Sequence, residues 1–195
     1  MAVAVISIGM PSAEIKKVDT NNYIEPEPIP EVKEKKSKPI NVFDVDEARC
    51  LAENIYHEAR NQGTAGWLAV ASVTLNRVTD RRFPNTICEV VFQAETTESW
   101  RTKNKDVPDI ERIFYPVRHR CQFSWYCDGK PDDINQLGIY MDIMQFSKIL
   151  LTSRVMMFDI TDGATFYHAD YVMPSWAKSK IKTIEIGDHI FYRWK

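Results

Sequence analysis

The chain has little of what several classes of protein require. Its 195 residues include four cysteines and four histidines, and the net charge is only −2. Acidic and basic residues are mixed along the sequence, so a broad basic surface for nucleic acid is not expected. An apolar run at residues 2–10 is too short to span a bilayer. We therefore expect neither nucleic acid binding nor a membrane span.

The first 40 residues differ in composition from the rest. Of the five tryptophans, eight tyrosines and nine phenylalanines, only Tyr23 precedes position 41. The segment carries Pro26, Pro28 and Pro30 and then a run of lysines and glutamates, and it lacks the apolar surface that would offset its ordering entropy. No basic residues precede the opening apolar run, which argues against a signal peptide there. We predict a flexible tail or anchor over 1–40, either free or bound to a partner, and one folded domain over 41–195.

The cysteines and histidines do not form a recognisable metal motif. Cys121 and Cys127 are separated by five residues, and the four histidines are scattered. His57-Glu58 lacks the second histidine of a His-Glu-x-x-His motif. We expect no metal and no cofactor.

The spacing of apolar residues, together with capping and turn residues, predicts an α+β fold in which helices predominate. Asp44 and Glu47 form a capping-box pattern, and Thr86 with Glu89 forms another. Apolar spacing predicts helices over about 45–60, 67–78, 86–92 and 133–153. A strand is predicted over 164–168, and a hairpin over 183–186 and 189–192. The polar stretch 95–118 is predicted to be an inserted loop with a short helix near Pro108.

Glu58 is placed as a catalytic acid would be. Leu51, Ile55 and Glu58 fall at i, i+4 and i+7, so the glutamate continues the apolar stripe of the first helix. Partial desolvation of a carboxylate raises its pKa, which suits a general acid near neutral pH. The alternative is a structural carboxylate that pairs with Arg60 or caps a neighbouring loop.

Several separated blocks of the sequence resemble the SleB-type cell wall hydrolases, the spore-cortex-lytic family. The resemblance runs from about Asp46 to the C-terminus. The blocks occur in the same order as in that family, at residues 52–60, 70–78, 82–91, 121–129, 163–169 and 187–192. Several spaced blocks are more specific than one short pattern. The resemblance implies a lysozyme-like fold with a small antiparallel sheet.

The resemblance also implies cleavage of peptidoglycan glycan strands at the muramic acid–glucosamine β-1,4 bond. That family is regarded as using one glutamate in lytic transglycosylation, with Glu58 as acid and then base. Hydrolysis by a muramidase would need a second carboxylate, for which Asp128 and Asp170 are the candidates. A third hypothesis is a non-catalytic wall-binding or virion component tethered by the tail. Action on the cell wall, in the periplasm or outside the cell, would suit a bacterial enzyme or a phage lysin.

The blocks also contain the predicted substrate-binding residues. Gln122 and Ser124 alternate around Phe123, so they share a face and could bind sugar hydroxyl or acetamido groups. Thr165 and Tyr167 are predicted to face the cleft together, with Tyr167 orienting Glu58 or the sugar.

Other side chains in or near the blocks have a structural and a functional interpretation. His168 is predicted to be a structural hydrogen-bond partner on the opposite strand face. Aromatic faces for glycan stacking could come from Trp125, Trp176 and Tyr171.

The cysteines can be paired in more than one way. Cys88, Cys121 and Cys127 lie in or beside the blocks, and a disulfide from Cys88 to Cys121 or Cys127 would tie the active-site segment to a helix. Cys50 is predicted to be a free, buried thiol.

Overall fold

The computed structural model describes residues 45–153 and 158–195. Residues 1–40 and the predicted cap Asp44 lie outside the described residues, so the tail and its partner stay predictions. Within the described ranges the helices are Val45–Ala59 (α1), Gly63–Thr79 (α2), Ile87–Val91 (α3) and Leu137–Thr152 (α4). The strands are Ala94–Glu98 (β1), Phe114–Cys121 (β2), Phe166–Ala169 (β3), Ile181–Ile186 (β4) and His189–Arg193 (β5). The predicted α+β class, with helices predominating, is confirmed.

The main core forms where α1 packs against α2, α3 and α4. The apolar side of α1 is buried, and most of the middle of α2 is buried as well, as its nearly uniform apolar sequence predicts. The polar side chain of Asn54 lies inside this core and is hydrogen-bonded through both its nitrogen and its oxygen. It donates to Thr74 Oγ1 at 3.1 Å, and its oxygen accepts from Trp125 Nε1 at 3.0 Å. A buried amide with both partners in place fixes the relative position of the two helices.

The start of α3 is capped from two directions. Thr86 accepts a hydrogen bond from the Glu89 backbone N–H at 3.2 Å, which confirms the predicted cap. The sequence assigns Glu47 to the cap of α1, but its carboxylate accepts from the backbone N–H groups of Ile87 at 2.6 Å and Cys88 at 3.4 Å. Glu47 therefore links α1 to the positive end of α3.

The stretch predicted to be an inserted loop is an antiparallel hairpin. Strands β1 and β2 pair, with Thr96 opposite Pro116, and a short 3-10 helix covers Asp109–Glu111 close to the predicted helical position. Arg112 bridges this hairpin through Glu98 at 2.9 Å and Asp109 at 3.1 Å. The strands were missed because their side chains are mostly exposed, so the apolar alternation that signals a strand is absent.

The second sheet has the order β3-β5-β4, with all neighbours antiparallel. The predicted β4–β5 hairpin is confirmed, and it turns at Gly187, which has a φ of 57°. A Cβ atom at Gly187 would lie 2.5 Å from Gln62 Oε1, so the turn packs tightly against the start of α2. This sheet covers α2 through a small cluster of buried side chains, namely Ala69, Val73, Ala164 and Phe191.

The cysteine predictions were wrong. Cys50 is not free but is bonded to Cys88, across a Cα separation of 5.2 Å. Cys121 is bonded to Cys127, so neither can pair with Cys88. Disulfide partners are decided by Cα distances in the folded chain. The packing of α1 on α3 brings Cys50 to Cys88, and the turn after β2 brings Cys127 back to Cys121.

No helix of residues 45–153 and 158–195 combines the length and apolar character needed to cross a membrane.

Candidate active site

A polar cleft of about 390 Å³ opens where the ends of α1 and α2 meet the second sheet and the segment after β2. It is lined by Glu58, Arg77, Cys121, Gln122, Phe123, Ser124, Tyr167, His168, Ala169, Tyr171 and His189. These residues come from five separate parts of the chain. Among the described residues that line the cleft, Glu58 is the only acidic side chain.

Glu58 occupies the position that the helical spacing predicts. Leu51 and Ile55 on the same stripe are fully buried, and Glu58 is partly buried at the end of α1. Desolvation raises the pKa of the Glu58 carboxyl group, while a contact with the Tyr167 hydroxyl and the charge of Arg77 lower it in part. The net result is a carboxylic acid that holds its proton to a higher pH than a glutamate in water.

Glu58 does not pair with Arg60, as the structural alternative would require. Arg60 donates to the Tyr56 backbone oxygen at 3.4 Å and lies 5.1 Å from the Tyr56 ring centroid. None of the ion pairs among the described residues includes Glu58. Its environment is therefore set by the cleft and not by Arg60.

Tyr167 on β3 presents its hydroxyl group to Glu58. The hydroxyl oxygen is buried and has no well-aligned hydrogen-bond partner among the described residues, so this contact is a close polar approach short of full hydrogen-bond geometry. Desolvation and then the negative charge of Glu58 hold the pKa of Tyr167 well above its ordinary value. Tyr167 therefore stays protonated and can donate to the carboxylate.

Arg77, at the end of α2, is a cleft residue that sequence analysis did not single out. It is only 4% exposed, donates from Nε to the Thr165 backbone oxygen at 2.9 Å, and lies 4.7 Å from the Phe123 ring centroid. Its Nη1 atom has no partner within the described ranges. Desolvation lowers the pKa of Arg77, and the neighbouring Tyr167 and Glu58 raise it. The available signal was that Arg77 is the one charged residue of α2.

The segment after β2 brings Gln122 and Ser124 to the cleft. Both side chains are exposed and line it, while Phe123 between them is 1% exposed and points into the core. The two polar residues share a side, as their alternation predicts, although β2 ends at Cys121 and a 3-10 helix begins at Ser124. The disulfide from Cys121 to Cys127 encloses this segment.

Thr165 and His168 do not lie where the strand alternation predicts, since Thr165 is not in the cleft lining and His168 is. Thr165 is buried before β3 begins and does not line the cleft. His168 does border the cleft, but its ring nitrogens are bonded to the Ala169 oxygen at 2.8 Å and the Tyr192 hydroxyl at 3.0 Å. The structure thus brings Tyr167 but not Thr165 to the cleft, and it gives the His168 ring the hydrogen bonds expected of a structural residue.

Three of the remaining candidates, Asp128, Trp125 and Trp176, lie outside the cleft lining. Asp128 accepts from the Lys130 backbone N–H at 2.8 Å, and this bond lowers the pKa of its carboxyl group. Trp125 stacks on His57 with ring centroids 4.4 Å apart. Trp176 packs beside the second sheet, 5.5 Å from the Tyr192 ring centroid. Each has a structural role in the fold, and Tyr171 is the aromatic candidate that lines the cleft.

Metal ligands are not assembled in the described part of the chain. No group of three or more His, Cys, Asp or Glu side chains there could hold a metal ion. All four cysteines are in disulfides, so none offers a thiolate.

Comparison with known proteins relates the chain to enzymes of the bacterial wall. The spore cortex-lytic enzyme of Bacillus cereus is 26% identical over 152 residues, which are 77% of this chain and 46% of that protein. The spore cortex-lytic enzyme of Bacillus subtilis is 25% identical over 150 residues, which are 76% of this chain and 38% of that protein. The chain thus spans less than half the length of these curated relatives.

Two solved structures are also similar. The catalytic domain of the germination-specific lytic transglycosylase SleB from Bacillus anthracis has a TM-score of 0.49 at 22% identity, covering 78% of this chain and 98% of that one. The catalytic domain of the Bacillus cereus SleB protein has a TM-score of 0.45 at 22% identity, covering 76% of this chain and 90% of that one.

The profile of the Cell Wall Hydrolase family matches residues 61–192, well over half of the sequence. The chain therefore belongs to the cell wall hydrolase family.

Proposed function

We propose that this protein cleaves the glycan strands of peptidoglycan at the muramic acid–glucosamine β-1,4 bond, as a lytic transglycosylase with Glu58 as its acid and base. The observation that carries the proposal is the single carboxyl group in a polar cleft, since Glu58 is the only acidic side chain among the described lining residues. The family match begins after Glu58, so the role of this residue rests on its geometry. The site of action is the bacterial cell wall.

The reaction needs one group that first donates and then accepts a proton. Glu58 donates its proton to the glycosidic oxygen as the bond from that oxygen to C1 of muramic acid breaks. The 6-hydroxyl of the same muramic acid then attacks C1, and its proton passes to the Glu58 carboxylate, which restores the acid. A 1,6-anhydro ring forms, and no water is consumed.

The neighbours of Glu58 suit both halves of this cycle. Desolvation favours the protonated acid before bond cleavage. When the proton has left, the Tyr167 hydroxyl and the Arg77 guanidinium favour the carboxylate. The cleft therefore contains influences that favour each of the two protonation states, as a group that serves in turn as acid and base requires.

The binding partners of the sugar follow from the cleft lining. Gln122 and Ser124 offer an amide and a hydroxyl group in the cleft that holds Glu58, and both residues are exposed. Their arrangement suits the hydroxyl and acetamido groups of a glycan. Thr165 is buried and does not line the cleft, so we propose no contact between Thr165 and the sugar.

Transglycosylation is favoured over hydrolysis by the positions of the other carboxylates. A muramidase of the usual type holds two carboxyl groups on either side of the bond. Asp128 is held in a turn by Lys130, and Asp170 is exposed and is not among the cleft-lining residues. Neither carboxylate lines the cleft that holds Glu58.

Mass spectrometry of purified sacculi after digestion tests the proposal. The expected products are 1,6-anhydro-muropeptides, which are lighter by one water than the reducing-end products of hydrolysis. Reducing-end muropeptides would show a muramidase, and an absence of products would indicate a wall-binding protein without activity. Glu58→Gln serves as the negative control.

A further inference from the structure

His189 is a buried titratable residue of the cleft that the reaction above does not use. It is 7% exposed and begins the central strand β5, where it pairs with Ala169 on one side and Ile186 on the other. Its ring centroid is 4.9 Å from that of Tyr167, with the two planes 71° apart. His189 therefore contacts the same tyrosine that faces Glu58.

One ring nitrogen of His189 has no hydrogen-bond partner within the described residues. Its Nδ1 atom is enclosed and unpaired. His168, on the neighbouring strand, has both nitrogens bonded. Buried polar atoms without partners are rare in folded proteins. One that lines a cleft is a candidate for a bond to a ligand.

Tyr171 provides an aromatic surface in the same cleft. The residue is 85% exposed, yet its backbone is held in place by hydrogen bonds on both sides. Asp170 N–H donates to the Asp188 oxygen and Val172 N–H to the Ala169 oxygen, both at 2.9 Å. An exposed ring on a fixed turn can pack on the apolar face of a sugar with little loss of backbone entropy.

We propose that His189 and Tyr171 form a sugar-binding subsite of the cleft, in which His189 hydrogen-bonds a hydroxyl or acetamido group and Tyr171 stacks on a sugar ring. The nature of the ligand rests on the proposed function. An uncharged sugar suits the charge state of the imidazole, because desolvation lowers the pKa of His189 and outweighs the opposing effect of Asp188 and Asp170. A neutral imidazole offers one donor and one acceptor, as a hydroxyl group does.

Binding of a soluble β-1,4-linked N-acetylglucosamine tetramer to the full chain carrying Glu58→Gln tests the subsite without catalysis. We expect His189→Phe, which keeps a ring against Tyr167 but cannot hydrogen-bond, to weaken binding by roughly fivefold to tenfold. His189→Gln should recover part of the affinity. Tyr171→Ala should weaken binding by a similar factor, and Tyr171→Phe should not. Tyr115→Ala, which removes an exposed ring outside the cleft lining, is the matched control.

NMR of the imidazole resonances gives a direct readout. The His189 ring signals should shift on addition of the tetramer, and the melting temperature of His189→Phe should stay close to that of its parent. Equal affinities for the parent and His189→Phe would overturn the subsite, as would unshifted His189 signals at saturation or a failure of the tetramer to bind. Because this test needs no cleavage, a failure of the subsite is separate from a failure of the proposed function, which the digestion products report.

Discussion

Arg77 Nε donates a hydrogen bond to the backbone oxygen of Thr165 over 2.9 Å, and this bond joins the end of α2 to the residue that leads into β3. The bond places a buried positive charge beside Glu58 and holds Tyr167, two residues further along, against the same carboxyl group. Glu58, Tyr167 and Arg77 are therefore positioned as one unit.

Glu58→Gln should abolish most of the activity while preserving the fold. The amide keeps the shape of the side chain but cannot donate a proton, so we expect clearance of sacculi to fall by at least about a hundredfold. Glu53→Gln is the matched control, since Glu53 lies on the same helix, also has its pKa raised by desolvation, and does not line the cleft. Near wild-type clearance by Glu58→Gln would exclude Glu58 as the acid.

The same substitution should change how stability depends on pH. The folded protein raises the pKa of Glu58, so the stability that this group contributes is fully present below its unfolded pKa of about 4.3 and is lost as pH rises through the folded pKa. Glutamine does not titrate. We expect the melting temperature of Glu58→Gln, relative to wild type, to be higher at about pH 7.5 than at about pH 4. A constant difference across this range would contradict the raised pKa.

Arg77→Met should move the alkaline limb of the pH–rate profile to higher pH. The positive charge of Arg77 lowers the pKa of Glu58, so without it the acid keeps its proton longer. Arg77→Lys should leave the limb near its wild-type position, and Arg82→Met, at an exposed arginine paired with Asp80, is a control for loss of charge. Arg77→Met should also cost about 1–3 kcal/mol in the free energy of unfolding, because the Thr165 oxygen loses its partner. An unmoved limb would show that Arg77 has only a structural role.

Tyr167→Phe and His168→Ala should separate catalysis from stability. Removing the Tyr167 hydroxyl takes away a donor to Glu58 with little loss of packing, so we expect turnover to fall about tenfold or more at an unchanged melting temperature. His168→Ala leaves the Tyr192 hydroxyl without its partner and should cost about 1–3 kcal/mol in stability. Tyr192→Phe removes the same hydrogen bond by deleting the Tyr192 hydroxyl group. A loss of turnover in His168→Ala together with a loss of stability in Tyr167→Phe would instead assign the catalytic role to His168.

The two disulfides should have different effects when each is replaced by a pair of serines. The Cys50–Cys88 bond spans 38 residues and should contribute about 4 kcal/mol to the free energy of unfolding, against about 2 kcal/mol for Cys121–Cys127, which spans six. Loss of Cys121–Cys127 frees Gln122 and Ser124 and should raise the half-saturating concentration of sacculi. Loss of Cys50–Cys88 should leave the kinetics of the folded protein near wild type. Urea unfolding and clearance rates for both variants check the difference.

Sequence reasoning was most successful where a local pattern is enough. The stripe through Leu51 and Ile55 placed Glu58 correctly, because a helix brings residues four and seven apart to one side whatever it packs against. The cap at Thr86 and the turn at Gly187 are likewise local. The β1–β2 hairpin was missed because its exposed strands carry no apolar alternation.

Sequence reasoning failed where the answer depends on which elements meet. The partners of the four cysteines are fixed by distances between Cα atoms that are 38 and six residues apart in the chain. Thr165 was expected in the cleft because a regular strand would place it beside Tyr167, but β3 begins one residue later and Thr165 is buried.

The sequence by itself determined the α+β class, the helix that carries Glu58, the alternation of Gln122 and Ser124, and the resemblance to the cell wall hydrolase family. Each of these depends on spacing along the chain. Only the tertiary structure decided that Arg77 and His189 line the cleft with Glu58 and that Asp128 does not. The charge and the solvation around a carboxyl group depend on side chains that are distant in sequence, so its pKa and its chemistry are properties of the packed fold.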